Sequence, residues 1–401
     1  MSSHFDADIP PHVFDQPAPR FDLARVETPA YVVDLGLLKQ NLEKLAMVQR
    51  EAGVTILLAL KGFSMFSTFG LVKQYLGGCC ASGLHEALLA HEEFGKEVHV
   101  YAPFFKDEEM RQILPIADHI SFNSIAQWKK FRPMIEAAKA KGRAPSPGLR
   151  VNPEHGEVEV DLYNPCSPGC RLGTRADSIH PDDLEGLEGL HFHALCEQGS
   201  DVLERVLGAV EKRFPKFIEQ AKWINMGGGH HISRKDYDVE RLIKLLRTFK
   251  QRWGKEHVYL EPGEAIALNT GYLIASVQDI VPSDVPTAIL DVSATAHMPD
   301  TLEMPYRPHI IGAGWPKDFP HRYKLGGPTC LAGDVINEYS FPEPLKIGQK
   351  LVFTDMAHYT MVKTTTFNGV PHPDLDLYDP ETDELRIVRR FGYEDFKRKL
   401  S

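Results

Sequence analysis

Short apolar runs rich in β-branched residues alternate with longer helix-forming segments over the first 262 residues. In the helix-forming segments the apolar positions recur every three to four residues, as between 37 and 49. The pattern predicts strands at 30–34, 54–60, 97–101, 119–122, 149–151, 189–193, 223–226 and 258–260. It predicts helices at 37–49, 68–75, 107–114, 124–140, 200–214 and 238–253. About eight strand–helix units favour a closed (β/α)8 barrel of the TIM type over an open doubly wound sheet.

The pattern changes after Pro262, where strand-like segments are separated by turns rich in proline and glycine. These segments lie at 272–281, 287–292, 350–353 and 385–388. We therefore predict an α/β protein with an N-terminal extension (1–27), a barrel (28–262) and a C-terminal β-rich domain (263–401).

Composition and charge exclude several classes of function. The 401 residues carry a formal net charge of −10, which argues against binding to nucleic acid and weakly favours a cationic ligand. No apolar stretch is long enough to cross a membrane. The first 29 residues do not resemble a secretion signal, so we expect a cytoplasmic protein with reduced cysteines. Cys166 and Cys170 lack a second pair of zinc-ligand spacing, and His230 and His231 suit a polar loop, so no metal site is predicted.

Polar residues follow several predicted barrel strands, where barrel enzymes place their active sites. Lys61 follows the strand 54–60, and a lysine with limited access to water is suited to attack a carbonyl group. Taken alone, it fits better a strand-end lysine that reaches solvent. His193 alternates out of an apolar strand, as a core histidine or one that stacks on an aromatic cofactor would.

Two further motifs follow strands. The glycines at 227–229 would let backbone N–H groups approach a phosphate closely, although a flexible loop fits the same residues. Glu261 and Glu264, in a Glu-Pro-Gly-Glu turn, form either a functional carboxylate pair or a solvated acidic turn. In the β-rich domain, Cys330 lies in a turn, while Tyr359 and Phe367 fit either that domain's core or a ligand contact.

The order of these motifs is more specific than any one of them. The order resembles that of the pyridoxal-phosphate decarboxylases of the alanine racemase fold, which include the ornithine and diaminopimelate enzymes. It runs from Lys61 and His193 through the triple glycine, Glu-Pro-Gly and Gly-x-x-Cys at 327–330 to Tyr359 and a Phe-Asn-Gly turn. Within them, the segments 59–64, 195–199, 226–231 and 356–363 are similar to the carboxynorspermidine/carboxyspermidine decarboxylases.

The resemblance implies roles for individual residues. Lys61 would bind pyridoxal 5′-phosphate covalently, His193 would stack on its ring, Gly227, Gly228 and Gly229 would bind its phosphate, and Glu261 would pair with the ring nitrogen. Cys330 would return a proton to the substrate carbon, and Tyr359 would reach the phosphate. Both would come from the partner subunit in a head-to-tail homodimer with shared active sites.

The departures from the family pattern concern substrate binding. Relatives usually carry arginine where Glu264 stands, and a carboxylate would repel the phosphate, so we assign Glu264 to a protonated substrate amine. Asp300 and Phe367 are further candidates for substrate contacts. Cys79 or Cys80 replaces an acidic residue, and Arg150 is a candidate for ordering the cofactor site.

The resemblance therefore implies decarboxylation of a cationic carboxylated triamine in polyamine biosynthesis. The alternatives are a diaminopimelate or ornithine type of amino-acid decarboxylase, a racemase, and a non-catalytic relative that regulates other proteins. The retained Lys61, Glu261 and Cys330 speak against the last of these.

Overall fold

A computed structural model describes residues 15–401 and divides the chain into two compact units. The barrel unit comprises residues 40–266. The described part of the sheet unit comprises residues 15–39 and 267–401. Within the described chain, no helix has the length and apolar character needed to span a membrane.

The strands are β1 Ala30–Asp34, β2 Thr55–Ala59, β3 Gly78–Ala81, β4 Glu97–Tyr101, β5 His119–Phe122, β6 Ser146–Arg150, β7 Gly189–His191, β8 Trp223–Asn225, β9 His257–Leu260, β10 Gly271–Val281, β11 Thr287–Leu290, β12 His321–Gly326, β13 Val335–Phe341, β14 Lys350–Thr354, β15 Asp374–Asp379 and β16 Glu384–Arg389. The α-helices are α1 Leu35–Ala52, α2 Phe69–Val72, α3 Leu84–Leu89, α4 Asp107–Ile113, α5 Ile125–Ala140, α6 Ser200–Arg213, α7 Pro215–Gln220, α8 Val239–Trp253, α9 Glu264–Ala267, α10 Ala294–His297, α11 Asp300–Glu303 and α12 Tyr393–Arg398.

Strands β2 to β9 form a closed barrel in which every neighbouring pair is parallel, and this confirms the predicted barrel. Its interior is filled by side chains, among them the buried cluster of Leu57, Trp223 and Tyr259. Two glycines make room for the indole ring. A Cβ atom at Gly148 would lie 2.4 Å from Trp223, and one at Gly189 would lie 1.9 Å from it. Glycine is therefore required at both positions by the size of the neighbouring ring.

The predicted domain boundary at residue 28 is wrong, because β1 belongs to the sheet unit. It pairs antiparallel with β10 and parallel with β15. The strand that brings the barrel to eight is β3. The sequence pattern missed it because its Gly-Cys-Cys-Ala sequence contains no β-branched residue. Lys61 thus follows the first barrel strand, and not the second as predicted.

The sheet unit contains a mixed sheet with the strand order β13-β12-β11-β10-β1-β15-β16, and β14 also pairs with β10. This confirms a β-rich C-terminal part. The predictions located β10, β11, β14 and β16 but missed β12, β13 and β15. The missed strands carry polar residues on faces that are buried, as at Asn337 and Glu338 in β13. Alternation of hydrophobic and polar residues is weak in such strands.

Residues 15–27 do not form a separate extension but pack within the sheet unit. Phe21 joins a buried cluster with Tyr272 and Tyr378. The Tyr272 hydroxyl donates a hydrogen bond to the carbonyl of Pro17 at 2.8 Å. The Gln16 amide donates to the carbonyl of Gly271 at 3.0 Å. The rest of the predicted extension, residues 1–14, lies outside the described residues.

Asp376 gives the sheet unit a pH-dependent stability. Its side chain is 1% exposed, and within residues 15–401 its Oδ1 atom has no hydrogen-bond partner. Burial, with the negative charge of Asp374 adding to it, raises the pKa of Asp376 to about 7. A raised folded-state pKa favours folding at acid pH, and this contribution is lost as the pH rises toward 7. We expect Asp376→Asn to raise the free energy of unfolding at pH 8 by about 2–4 kcal/mol.

Chemical denaturation between pH 4 and pH 8 checks this expectation. The difference between the variant and the wild type should shrink as the pH falls toward 4. Asp284→Asn, at an exposed aspartate of the same unit, serves as the control and should show no such trend. A difference for Asp376→Asn that does not change with pH would contradict the assignment.

Candidate active site

Lys61 lies in the turn that follows β2, at the carboxyl end of the barrel. The turn is held by hydrogen bonds from Leu60 N to Cys80 O at 3.1 Å and from Gly62 N to Ala59 O at 3.0 Å. A Cβ atom at Gly62 would approach the Cα atom of Gly263 to 2.9 Å, so the two loops touch through glycines. The expected limited access to water is wrong for this structure, because Lys61 is exposed.

Glu261 follows β9 and is the buried acid of the site, with a side chain that is 12% exposed. The Asn225 amide donates a hydrogen bond of 2.6 Å to its Oε1 atom, and His191 Nε2 lies 3.6 Å from its Oε2 atom. Burial raises the pKa of Glu261, whereas the Asn225 hydrogen bond and the positive charges of Lys61 and Arg150 act in the opposite direction. The positive charges of Lys61 and Arg150 therefore both act on the buried carboxylate of Glu261.

The glycine loop at 227–229 packs directly against His193 and Glu261. A Cβ atom at any of the three glycines would lie within 2.5 Å of a neighbouring carbonyl oxygen. Gly227 and Gly229 also have φ values of +70° and +82°, which favour glycine. Glycine is therefore required in this loop by the close approach of neighbouring backbone and by the positive φ values. A loop that is merely flexible would not explain the three glycines.

His193 is oriented by this loop, since its Nδ1 atom lies 3.1 Å from both the N and the O atoms of Gly228. Burial lowers the pKa of His193 well below its usual value, and the charges of Lys61 and Arg150 lower it further. The imidazole is therefore neutral. A neutral ring held by its neighbours is suited to stacking.

Arg150 ends β6 and is only 4% exposed. Its guanidinium carbon lies 4.4 Å from the centroid of the Tyr101 ring, and its Nη2 atom donates to the carbonyl of His193 at 3.4 Å. The structure thus places a buried cation among the predicted site residues.

Glu264 opens the short helix α9 and lies against a buried histidine. Its Oε1 atom is 3.2 Å from Nε2 of His231, whose side chain is 1% exposed. His230 is equally buried, so the two histidines lie in the loop after β8, as expected, but away from solvent. The negative charge of Glu264 also contributes, after burial, to the raised pKa of Cys196. Glu264 therefore belongs to the same end of the barrel as Glu261.

The remaining candidates lie in the sheet unit, in two groups. In the first, Cys330 is exposed and its backbone N–H donates a hydrogen bond of 2.8 Å to Oδ1 of Asn368. Phe367, 44% exposed, precedes Asn368 in the same turn. The predicted cysteine and the predicted phenylalanine are thereby held together.

In the second group, Lys363 forms ion pairs with Asp300 and, at 2.6 Å, with Glu303. Asp300 is thus already neutralised by a lysine of its own unit. Tyr359 has a φ of 43°, and its carbonyl accepts a hydrogen bond of 2.9 Å from the N–H of Lys363. Such a conformation is uncommon outside glycine and fixes the turn that carries Tyr359.

Comparison with known proteins identifies the family. Residues 30–357 match the family described as pyridoxal-dependent decarboxylase, C-terminal sheet domain. This chain belongs to the pyridoxal-dependent decarboxylase family. The carboxynorspermidine/carboxyspermidine decarboxylase of Campylobacter jejuni is 46% identical, over 93% of this chain and 98% of that protein. The carboxyaminopropylagmatine decarboxylase of Synechocystis is 45% identical, over 94% of this chain and 96% of that protein.

Comparison with solved structures supports the same family. Carboxynorspermidine decarboxylase from Campylobacter jejuni, in complex with norspermidine, matches with a TM-score of 0.85 and 45% identity, over 93% of this chain and all of that one. The diaminopimelate decarboxylase of Helicobacter pylori, at 18% identity and a TM-score of 0.77, shares the fold. The predicted resemblance to this decarboxylase family is confirmed.

Two residues near the candidate site were missed by the sequence reasoning. Asn225 and His191 both contact Glu261. The available signal for Asn225 and His191 was a polar residue that ends an otherwise buried strand. Cys80, one of the two cysteines named from the sequence, lies close enough to Glu261 for the charge of that carboxylate to add to the effect of burial in raising the pKa of Cys80.

Proposed function

We propose that this protein removes the α-carboxylate of carboxynorspermidine or carboxyspermidine, giving norspermidine or spermidine and CO2. The observation that carries the proposal is near-full-length similarity to decarboxylases of these substrates, at 46% and 35% identity. A carboxylate at Glu264 and the net charge of −10 suit a substrate with several ammonium groups.

Carboxyaminopropylagmatine is the second candidate substrate, because a decarboxylase of that name is as similar to this chain as the carboxynorspermidine enzyme is. It would present a guanidinium group where the triamine presents an ammonium group. Both candidates are long cations with one α-amino acid end, so the reacting end would be handled by the same residues.

The residues of the barrel unit fit pyridoxal 5′-phosphate. The triple glycine leaves no room for Cβ atoms, which suits a phosphate held by backbone N–H groups. Glu261 is a buried carboxylate suited to a protonated ring nitrogen, and His193 is a neutral imidazole suited to a ring face. Lys61 supplies an exposed amine for covalent attachment, and Arg150 supplies a nearby positive charge.

When bound, the cofactor would accept the electron pair that remains after the carboxylate leaves as CO2. Glu261 would hold a proton on the ring nitrogen, and Asn225 would hold Glu261 in position. Lys61 would hold the cofactor through its side-chain amine. Cys330 would deliver a proton to the α-carbon. Glu264 would bind an ammonium group of the substrate chain, with His231 as its support.

In this proposal the working enzyme is a head-to-tail homodimer. Cys330 and Tyr359 of one subunit would then serve the barrel of the other, with Tyr359 at the phosphate and Phe367 beside the substrate. Asp300 is a weaker candidate for a substrate contact than its sequence indicated, because Lys363 already pairs with it.

Product identification tests the proposal. The purified protein with pyridoxal phosphate would be incubated separately with carboxynorspermidine, carboxyspermidine, carboxyaminopropylagmatine, diaminopimelate and ornithine. The highest kcat/KM should be found with one of the two carboxylated triamines. Preference for carboxyaminopropylagmatine would support the second candidate. Preference for diaminopimelate or ornithine, or no CO2 from any substrate, would contradict both.

Glu264→Gln is expected to lower kcat/KM for the preferred substrate about tenfold while the cofactor stays bound, because the substrate ammonium group loses an ionic partner. Steady-state kinetics and the absorbance of the bound cofactor check both parts. Glu240→Gln removes an exposed carboxylate from α8 and should leave both unchanged. Loss of the cofactor from Glu264→Gln would instead assign Glu264 to the phosphate region or to the fold.

A further inference from the structure

The barrel carries a second cluster of polar side chains at its amino end, opposite to the site described above. Glu97 is the first residue of β4 and His119 is the first residue of β5. His99 lies two residues after Glu97, so both side chains point to the same face of β4. The register pairs His99 directly with His119. Three residues with metal-ligating atoms are thereby collected from two neighbouring strands.

The three side chains are close enough to share one ion. One ligating atom from each lies within 4.8 Å of the other two. His99 Nε2 and Glu97 Oε2 are 3.1 Å apart. The two imidazole rings are stacked, with centroids 4.1 Å apart. The 3.1 Å separation is close to that between neighbouring ligands around a tetrahedral ion, and rotation of the side chains would bring the third ligand to the same ion.

His99 is buried and His119 is partly exposed, and both lack a full set of partners. The His99 side chain is 4% exposed. Within the described part of the chain, the buried Nδ1 atoms of His99 and His119 have no hydrogen-bond partner. Buried polar atoms are nearly always paired with protein, water or an ion, so two such atoms in one cluster call for an explanation. A bound ion would take one nitrogen of each ring and so supply a partner to a cluster that is incompletely paired.

The surroundings of the cluster are aromatic on one side and open on the other. The Tyr259 ring lies 4.5 Å from that of His99, and the Trp223 ring lies 4.9 Å from that of His119. The Glu97 side chain is 43% exposed, which leaves a path from solvent. Apolar walls exclude competing water, and an exposed carboxylate at the entrance gives a cation access.

We propose that Glu97, His99 and His119 form a binding site for one divalent transition-metal ion at the amino end of the barrel. Two imidazoles and one carboxylate are a ligand set typical of Zn²⁺, and the same set also accepts Co²⁺. The position indicates a structural site, because the amino ends of barrel strands serve stability rather than catalysis. The ion would join β4 to β5 and stabilise only the folded barrel.

Metal titration of the pyridoxal phosphate-loaded protein tests this site. Protein without a histidine tag would be treated with EDTA, dialysed and titrated with Zn²⁺ by calorimetry, and its metal content measured after a second dialysis. We expect about one Zn²⁺ per chain at micromolar affinity or tighter, and a rise in Tm of about 2–4 °C at saturation. Glu97→Gln and His119→Ala should each weaken binding about tenfold or more.

Two controls distinguish this site from others. His91→Ala removes an exposed histidine and should leave the affinity unchanged. Substitution of Co²⁺ distinguishes histidine from cysteine ligands, because thiolate ligands add a strong charge-transfer absorption that imidazole and carboxylate ligands lack. Binding that shows this absorption, or that Glu97→Gln and His119→Ala leave unchanged, would overturn the proposal, as would the absence of bound Zn²⁺. Glu97→Gln changes a half-exposed side chain, so the test does not depend on whether His119→Ala folds.

Discussion

Lys61→Ala should lower kcat by about a thousandfold or more and remove the visible absorbance of covalently bound cofactor. Lys61 lies in a short turn after β2, beside the loop that carries Glu261, and its charge acts on Glu261. An exposed side chain in this position can be shortened without opening a cavity in the core, so the barrel should fold normally. The loss would therefore report on chemistry and not on stability.

Absorbance spectra, borohydride fixation and peptide mapping check this expectation. In the wild type, reduction should fix the cofactor on the peptide that contains Lys61. Lys73→Ala, which removes an exposed lysine next to α2, should keep both the absorbance and the activity. Fixation of the cofactor at another lysine, or a Lys61→Ala variant that keeps the visible band, would be incompatible with the assignment.

The barrel could be predicted because its strands are buried on both faces and are therefore almost continuously apolar. The strand β4 was predicted with its observed bounds, Glu97–Tyr101. Two errors cancelled in the strand count, since eight barrel strands were predicted and eight are present. The apolar strand β1 was assigned to the barrel although it pairs within the sheet unit, and β3 was missed. Local pattern identifies a strand but does not show which sheet it joins.

The site could be predicted as far as it follows directly from strand ends. Lys61, His193 and Glu261 were recognised because each follows an apolar strand at the end where barrel enzymes bind ligands. The contacts of Asn225 and His191 with Glu261 could not be predicted, because they depend on the register between β7, β8 and β9. The same limitation applies to the cluster at the amino end of the barrel, whose members come from separate strands.

The sequence left the exposure of Lys61 open between a lysine shielded from water and a strand-end lysine that reaches solvent. The structure agrees with the second, because Lys61 is exposed. The charges near Lys61 are arranged by the fold. The positive charges of Lys61 and Arg150 lie near the buried carboxylate of Glu261, which is the acid that balances them.

Glu261→Gln is expected to lower kcat about a hundredfold or more while the cofactor remains attached to Lys61. Glutamine keeps an oxygen that can accept the hydrogen bond from Asn225, so the loop after β9 should keep its structure. What is lost is the negative charge that would hold a proton on the ring nitrogen. Without that charge, the ring would be a poorer acceptor for the electron pair left by CO2.

The pH profile provides a second measurement of the same role. Burial raises the pKa of Glu261, so the wild-type enzyme should lose activity as the pH falls and this carboxylate becomes protonated. Glu261→Gln should have a low kcat that no longer falls on that acid side. Glu256→Gln removes an exposed carboxylate near the amino end of β9 and should retain the wild-type profile. A Glu261→Gln enzyme with unchanged kcat would mean that another group protonates the ring, and the assignment of Glu261 would be wrong.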